Sequence, residues 1–211
     1  MTMRAIIDSI TEAARMGNAV QLQEIPPKYK GLKMLGRGTT TVTLELNDRE
    51  VLLFTRDDIK AEYLRDVRLA EIIDRYDSRR NRTIAMNDLP IIVLRMPKLV
   101  KLSGPNIRLV KHAVQEFLDA WYKTFRGTSV KVRHREDAIR QMLGHFSEEE
   151  DHLLAPLCRF LLNYDVEQYG FDIRPGNFMQ TVDGQIVVLD PIASQQVLDI
   201  INDAKKARYE D

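Results

Sequence analysis

The chain has one cysteine and no long hydrophobic run. Cys158 lies within "LLAPLCRFLL", which predicts a buried small hydrophobe, and one cysteine excludes both an intrachain disulfide and a cysteine-rich zinc site. No apolar stretch approaches the roughly 20 residues that span a bilayer, and the N-terminal segment lacks the apolar core of a signal peptide. We therefore expect a soluble cytoplasmic protein with no membrane partner.

An excess of charge of either sign is also absent. The 211 residues include 31 Lys and Arg and 31 Asp and Glu, so the formal net charge is +0. A balanced chain has no overall field that would attract nucleic acid, which is therefore not an expected partner. The four histidines show no metal-ligand spacing, which argues against a zinc site.

Hydrophobic patterns in the first half predict helices and an antiparallel sheet. Apolar spacing predicts a helix over residues 3–16, and "KMLGRGTTTVTLEL" with "VLLFT" predicts three strands in a meander. Asp57 or Asp58 is a suitable N-cap for a helix running to about Tyr76. "LPIIVLRMP" predicts a buried strand, and Pro105 begins a helix that reaches Phe125.

The second half predicts further helices followed by a hairpin. The basic segment "KVRHRED" is expected to be a loop before a short helix to about Leu143. A capping box at Ser147 and Glu150 predicts a helix to about Gln168, with Gly170 as its stop. "FMQTV" and "QIVVL" are expected to pair through the turn signal Asp183-Gly184.

The segment that ends in this hairpin carries the most specific motif. "DIRPGN", residues 172–177, resembles the protein kinase catalytic loop, and "FDIRPGNFM…DGQIVVLDPIA" is most similar to the early serine/threonine protein kinases of lytic podophages. The resemblance implies that Asp172 orients the substrate hydroxyl and that Asn177 and Asp190 bind Mg²⁺. Asp, Pro, Gly and Asn also favour ordinary turns, so this hexapeptide alone does not indicate a kinase. The hairpin that follows it and Asp190 at its end are what favour the kinase interpretation.

The same resemblance implies a fold and a nucleotide site. We expect an α+β, two-lobed protein kinase-like fold, with an antiparallel N-lobe sheet of four or five strands. An N-terminal helix and the N-lobe would occupy residues 1–97, and a reduced, mainly helical C-lobe residues 98–211. ATP is the expected cofactor beside Mg²⁺, in a cleft between the lobes, with a glycine loop of Gly36, Arg37 and Gly38 over its phosphates and Met96 at the adenine hinge.

Two departures from the kinase pattern bear on activity. The third strand offers Leu52 and Leu53 where a phosphate-pairing lysine is expected, and Lys33, Arg37 or Arg56 are the candidate substitutes. The glutamate partner of that cation would be Glu62, with Glu71 as the second choice.

Other departures concern regulation and the size of the C-lobe. Phe171 precedes the catalytic Asp where many regulated kinases have an arginine, so control by a phosphorylated activation loop is not expected. Only 21 residues follow Asp190, which leaves no Ala-Pro-Glu segment and predicts a minimal substrate platform.

Three functions are compatible with this pattern. The first is a phage-encoded serine/threonine protein kinase that acts on host proteins in the host cytosol. The second is a pseudokinase that binds or inhibits a host enzyme, which the missing lysine favours. The third is a small-molecule phosphotransferase of the aminoglycoside or choline type. The sequence does not identify the substrate or the oligomeric state.

Overall fold

The computed structural model describes residues 25–37, 41–77, 89–125 and 132–199. The helix predicted over residues 3–16 and the loop glycine Gly38 lie outside these ranges. The chain forms two compact units, whose boundary falls between Lys98 and Leu99, and it returns to the first unit at Ser194.

The first unit contains a five-stranded antiparallel sheet, and a helix lies between its third and fourth strands in sequence. Neighbouring strands follow the order β1-β2-β3-β5-β4. The strands are β1 (Met34–Arg37), β2 (Thr41–Glu45), β3 (Glu50–Thr55), β4 (Glu71–Tyr76) and β5 (Ile91–Pro97), and helix α1 (Asp58–Asp66) lies between β3 and β4. This arrangement confirms the predicted α+β class and the predicted antiparallel sheet of four or five strands in the first part of the chain.

The predicted meander forms because the apolar residues of its strands share one face. Val42 and Leu44 of β2 and Leu52 and Phe54 of β3 are buried in one cluster with Ile91 and Val93 of β5. The turn between β2 and β3 is closed by the side chain of Asn47, whose Oδ1 accepts from the amides of Arg49 and Glu50, each at 2.9 Å. Side-chain bonding of this kind is why Asn favours turns.

Helix α1 is shorter than predicted. It begins at the Asp57 N-cap, but it ends at Asp66, and Arg68 adopts a positive φ of 57°. Residues 71–76 form strand β4, so the helix predicted to run to Tyr76 is wrong there. The left-handed residue stops the helix, and "EIIDRY" then alternates exposed and half-buried positions, which is the period of a strand.

Both outer strands of the sheet contain an irregularity. The pairing of β1 with β2 shifts register between Met34 and Gly36, and that of β4 with β5 shifts between Ile72 and Asp74. Since β1 and β4 are the first and last strands in the sheet order, each edge of the sheet is bulged.

The second unit is mainly helical and ends in short strands. Its helices and strands are α2 (Gly104–Phe125), α3 (Val132–Glu148), α4 (Ala155–Leu161), β6 (Tyr169–Phe171), β7 (Phe178–Gln180), β8 (Ile186–Val188) and β9 (Ile192–Ser194), the last of which reaches the unit boundary. Strand β6 is next to β9, and β7 pairs with β8. None of the helices within the described ranges is long and apolar enough to cross a membrane.

Several predictions for this half are confirmed and others are wrong. Helix α2, the Asp183-Gly184 hairpin with Gly184 at φ 93°, and a buried Cys158 are confirmed. The segment "KVRHRED" is largely helical, since α3 begins at Val132. Ser147 lies inside α3 and donates through Oγ to the carbonyl of Gly144, at 2.7 Å, so it does not cap a new helix.

The helix predicted to run from Ser147 to Gln168 is replaced by the short α4, and Gly170 lies in β6. A side chain from another helix donates hydrogen bonds to the backbone carbonyls that follow α4. Arg140 of α3 donates to the carbonyls of Leu162 and Tyr164, each at 3.2 Å. Such a tertiary contact is not visible in the local sequence pattern.

Helix α2 also holds the β7–β8 hairpin. Asn106 donates through Nδ2 to Gln180 Oε1 at 2.8 Å and to the carbonyl of Gly184 at 3.0 Å. The backbone amide of Ser103 adds a second donor to Gln180 Oε1 at 2.8 Å. The hairpin that separates Asn177 from Asp190 in sequence is therefore held at Gln180 and at its turn by residues at the start of α2.

Candidate active site

The loop that carries Asp172 follows strand β6 directly. The Asp172 amide donates to the carbonyl of Pro191 at 2.8 Å, which ties the loop to the segment after Asp190. Its neighbour Ile173 is buried, whereas the Asp172 side chain is 52% exposed and pairs with the guanidinium of Arg174 at 2.9 Å. The Asp172 carboxylate is thus presented to solvent from an anchored backbone.

A short 3-10 turn, Pro175–Asn177, places the amide side chain of Asn177. Proline fixes its own φ at a helical value and is suited to the first position of such a turn. The backbone amide of Asn177 donates to the carbonyl of Arg174 at 2.9 Å. The side chain of Asn177 turns inward, and the residue is 7% exposed.

Asn177 is the centre of the site. Its Nδ2 donates to the backbone carbonyls of both Asp172 and Asp190, the latter at 2.6 Å. Its own carbonyl accepts from the Leu189 amide at 2.8 Å. The structure therefore brings Asp172, Asn177 and Asp190 together, although the last two are 13 positions apart in sequence.

The oxygen atoms left by this arrangement suit a hard divalent cation. Both side-chain amide hydrogens of Asn177 are used on backbone carbonyls, so Oδ1, which accepts from Arg174 Nε at 3.4 Å, is its one possible ligand atom. Asp190, which has contacts of its own, adds a half-buried carboxylate. Within the described ranges, no group of three or more His, Cys, Asp or Glu is arranged to hold a metal ion. Two protein oxygens fit Mg²⁺, which usually keeps waters and takes phosphate oxygens for its other positions.

Arg174 belongs to the site but was not singled out from the sequence. Its guanidinium contacts the Asp172 carboxylate, and its Nε lies 3.4 Å from Asn177 Oδ1. The cation thus lies beside Asp172, which is predicted to orient the substrate hydroxyl, and beside Asn177, a predicted metal ligand. Its place two residues after Asp172 in the loop motif was the available signal.

The residues predicted to hold the nucleotide are in the first unit. Gly36 lies within β1 opposite Thr43, and Arg37 ends that strand opposite Val42. Met96 is buried in β5 opposite Val51. Gly36 and Arg37 therefore belong to the β1 strand that leads into the β1–β2 connection.

The candidate substitutes for the missing lysine already have other contacts. Lys33 Nζ lies 3.5 Å from Glu45, whose carboxylate also bonds Lys98, and that second bond is the main cause of the lowered pKa of Glu45. Arg56 is buried and donates to the carbonyl of Leu89. Arg37 also has contacts.

Neither strand β3 nor Glu62 contributes to the lysine–glutamate pair that the kinase pattern predicts. Leu52 and Leu53 are almost fully buried within β3. Glu62 pairs with Arg65 of its own helix and lies 3.5 Å from Arg75. The structure does not bring Glu62 and Lys33 into a pair.

A buried polar cluster in the first unit was also missed. Asp57 is 1% exposed and accepts from the amides of Lys60, at 3.0 Å, and Ser194, at 3.2 Å. Burial raises the pKa of Asp57 to about 6, against the lowering effect of these donors. Lys60 is 2% exposed, which is rare for a lysine and identifies the cluster as unusual.

Comparisons with known proteins give little further identification. No protein-family model and no curated protein matches the chain. A solved structure, the GDP and kanamycin complex of APH(2")-IIia, is similar with 12% sequence identity and a TM-score of 0.25. The alignment covers 78% of this chain and 65% of that one, so this chain spans less than two thirds of its length. A TM-score this low leaves the function to be argued from the chain's own residues.

Proposed function

We propose that this protein is an ATP- and Mg²⁺-dependent phosphotransferase that phosphorylates serine or threonine hydroxyls of proteins. The observation that carries the proposal is the pinning of Asp172 and Asp190 by one side chain, that of Asn177. The bonds are made to the two backbone carbonyls, so they bring both acidic residues to one place. Phosphoryl transfer needs such convergence, because the nucleophile and the metal-bound phosphates must be held in line.

Asp172 is proposed as the residue that receives the substrate. Its exposed carboxylate accepts the hydroxyl proton while the hydroxyl oxygen attacks the γ-phosphorus, the bond to the bridging β–γ oxygen breaks, and ADP leaves. Arg174 holds this carboxylate at 2.9 Å and places positive charge near the transferring group.

Asn177 Oδ1 and the Asp190 carboxylate are proposed to hold Mg²⁺. Bound Mg²⁺ would neutralise the charge that develops on the phosphate oxygens. We assign the nucleotide contacts, as proposals, to Gly36, Arg37, Gly38, Lys33 and Met96. The similarity of the loop sequence to phage kinases supports substrates among the proteins of a bacterial host, in the host cytosol.

A pseudokinase is the second candidate, and a specific observation favours it. Leu52 and Leu53 are 0% and 3% exposed in β3, so the strand that should supply the phosphate-pairing lysine is packed with apolar side chains. Calorimetric titration with ATP and Mg²⁺ separates the two. Weak binding is expected of an enzyme that uses a substitute cation, and the absence of heat and of a thermal shift at millimolar ATP would favour the pseudokinase.

The direct test is transfer of labelled γ-phosphate from ATP to proteins of a bacterial lysate in the presence of Mg²⁺. The wild-type protein should label itself or a host protein, and Asn177→Ala and Asp190→Ala should not. Asp183→Asn is the matched control, because it removes one charge from the same hairpin and Asn-Gly still forms the turn. Equal labelling by Asp190→Ala and the wild type would contradict the assigned site.

A further inference from the structure

Three of the four histidines lie in the second unit beside acidic residues, and none of them belongs to the proposed reaction. His112 of α2 lies 2.8 Å from Glu116, and His145 of α3 lies 3.1 Å from Glu149. The side chains of these two histidines are 71% and 69% exposed, whereas that of His152 is 8% exposed. Burial disfavours the charged form of a histidine, so the protonation of His152 is coupled to its surroundings.

The His152 side chain closes the turn that leads from α3 into α4. Its Nδ1 accepts from the backbone amide of Leu154 at 3.2 Å, and its carbonyl accepts from the amide of Ala155 at 2.9 Å. Leu154 is the N-cap residue of α4, and its own side chain makes no capping hydrogen bond. Leu154 and Ala155 are both 0% exposed, so water does not replace either bond while the turn is closed. The closed turn therefore requires that Nδ1 of His152 is unprotonated.

The other ring nitrogen of His152 is less well placed. A neutral imidazole that accepts through Nδ1 carries its proton on Nε2. This Nε2 is buried, and among the described residues it has no hydrogen-bond partner. The ring of Phe146 packs against that of His152, with centroids 4.7 Å apart, and adds to its burial. The carboxylate of Glu116 lies 3.8 Å from Nε2, which is just beyond hydrogen-bond distance.

Protonation would reverse the preference of the ring for these two partners. An imidazolium ring has an N–H on both nitrogens, so Nδ1 no longer accepts and its N–H faces the N–H of Leu154. The Nε2–H group shares the positive charge, and a short movement toward Glu116 gives it a charge-assisted hydrogen bond. Both changes favour a ring that has left Leu154.

Charged groups on both neighbouring helices act on this equilibrium. Burial is the main cause that lowers the pKa of His152. Glu149 and Glu116 raise this pKa, and His112 and His145 lower it. The folded protein therefore protonates His152 at a lower pH than it would an exposed histidine.

We propose that His152 is a pH-sensitive switch of the turn between α3 and α4. The neutral ring holds the Leu154 amide and keeps the turn closed. The protonated ring moves to Glu116, and the start of α4 opens because the Leu154 amide has lost its acceptor. The switch requires no phosphotransfer, so it does not depend on the proposed function.

Three variants separate the parts of this switch. His152→Asn does not titrate but keeps an acceptor, because the short Asn side chain readily accepts from the backbone amide two residues later. Glu116→Gln removes the carboxylate that would receive the protonated ring. His145→Gln is the control, because His145 is an exposed histidine of the same part of the chain and also pairs with an acid.

The experiment is a nuclear magnetic resonance titration of the full chain from about pH 8 to about pH 5, the range in which histidines titrate. The chemical shifts of the ring nitrogens report the tautomer and the protonation of His152, and hydrogen exchange gives the protection factor of the Leu154 amide. At the high end, His152 should have its proton on Nε2 and the Leu154 amide should be protected. As His152 protonates, this protection factor should fall at least about tenfold.

The variants should divide this result. In His152→Asn the protection factor of the Leu154 amide should stay constant within about threefold across the titration. Glu116→Gln should lower the midpoint of the His152 titration by about 0.5 pH unit or more, because the protonated ring loses its acceptor. His145→Gln should show the same fall in Leu154 protection as the wild type.

The other outcomes contradict the proposal. A proton on Nδ1 at the high end, or a Leu154 amide that stays protected while His152 protonates, overturns the switch. Loss of Leu154 protection on acidification of His152→Asn also overturns it, because another group would then open the turn. An unchanged midpoint in Glu116→Gln overturns the assignment of Glu116 as the acceptor. If circular dichroism shows that His152→Asn does not fold, the wild type and His145→Gln decide.

Discussion

The loop and hairpin over residues 172–190 and the β1–β2 region differ in how their predicted functional residues are held. In the first region, one side chain, that of Asn177, bonds to the backbone of both other predicted residues. In the second, Lys33 is 75% exposed and pairs at the surface with Glu45, while Gly36 lies within a strand. The hairpin region thus has an arrangement that substitutions should disrupt sharply, and the sheet region does not.

The comparison is tested most strongly at Asn177 and Asp190. Asp190→Ala and Asn177→Ala should each lower phosphotransfer by about 10³-fold or more, because each removes a proposed metal ligand. Asn177→Ala should also lower the free energy of unfolding by about 1–3 kcal/mol, since two carbonyls lose their donor. Kinetics and denaturant unfolding measure the two effects, and an Asn177→Ala variant of unchanged stability would contradict the pinning role.

A smaller loss is expected at Asp172. Asp172→Asn should lower turnover by about 10²-fold, because it removes the acceptor of the hydroxyl proton. ATP affinity should remain within about twofold, since the residue contacts the hydroxyl and not the nucleotide. Steady-state kinetics with calorimetric ATP titration checks both expectations, and a large loss of ATP affinity would show that the role is assigned wrongly.

The buried cluster of the first unit predicts a pH dependence of stability. Because burial raises the pKa of Asp57 to about 6, the folded protein holds a proton between about pH 4 and 6 that the unfolded chain releases. Its contribution to the free energy of unfolding therefore falls as pH rises through that window and is constant above it. The total change is at most about 3 kcal/mol.

Asp57→Asn isolates this contribution from that of the other acids. Denaturant unfolding of the wild type and the variant at pH 4 and pH 7 should show a difference that shifts in favour of Asn at the higher pH. A difference that is independent of pH would mean that the carboxyl titrates alike in the folded and unfolded states.

The smallest effect is expected in the β1–β2 region. Lys33→Ala should raise the KM for ATP by only about threefold, because the proposed contact of Lys33 with the nucleotide is made by an exposed side chain that its ion pair with Glu45 positions weakly. Lys30→Ala is the matched control, an exposed lysine three residues earlier. A tenfold rise in KM for Lys33→Ala alone would identify Lys33 as the substitute phosphate-binding cation and would remove the contrast between the two regions.

The sequence predicted those parts of the fold where the local pattern and the final packing agree. Strand β5, helix α2 and the Asp183-Gly184 hairpin show the expected periodicity or turn residues, and all three form. Residues 71–76 were predicted wrongly because apolar spacing over a short segment does not distinguish a helix from a strand. The end of α4 is held by Arg140, which acts across 22 positions.

The candidate site divides in the same way. Asp172, Asn177 and Asp190 could be named from the resemblance of their segment to the kinase catalytic loop, and the structure brings their backbones together. Their roles in catalysis stay a prediction. Asp57 was predicted only as an N-cap, and its contact with Ser194 could not be found, because the two residues are 137 positions apart. The sequence also does not identify the cation that would replace the strand lysine. The sequence around a charged residue does not show which distant group it contacts.

The bulges in β1 and β4 have a consequence for self-association. An outer strand offers unpaired amides and carbonyls on one side, and a regular one can template a strand from another molecule. Here the register shifts at Met34–Gly36 and Ile72–Asp74 break that regular row at both edges. The charged residues Glu71, Asp74 and Arg75 add hydration along β4. We expect that removing either bulge would promote edge-to-edge aggregation at high protein concentration without altering the interior of the sheet.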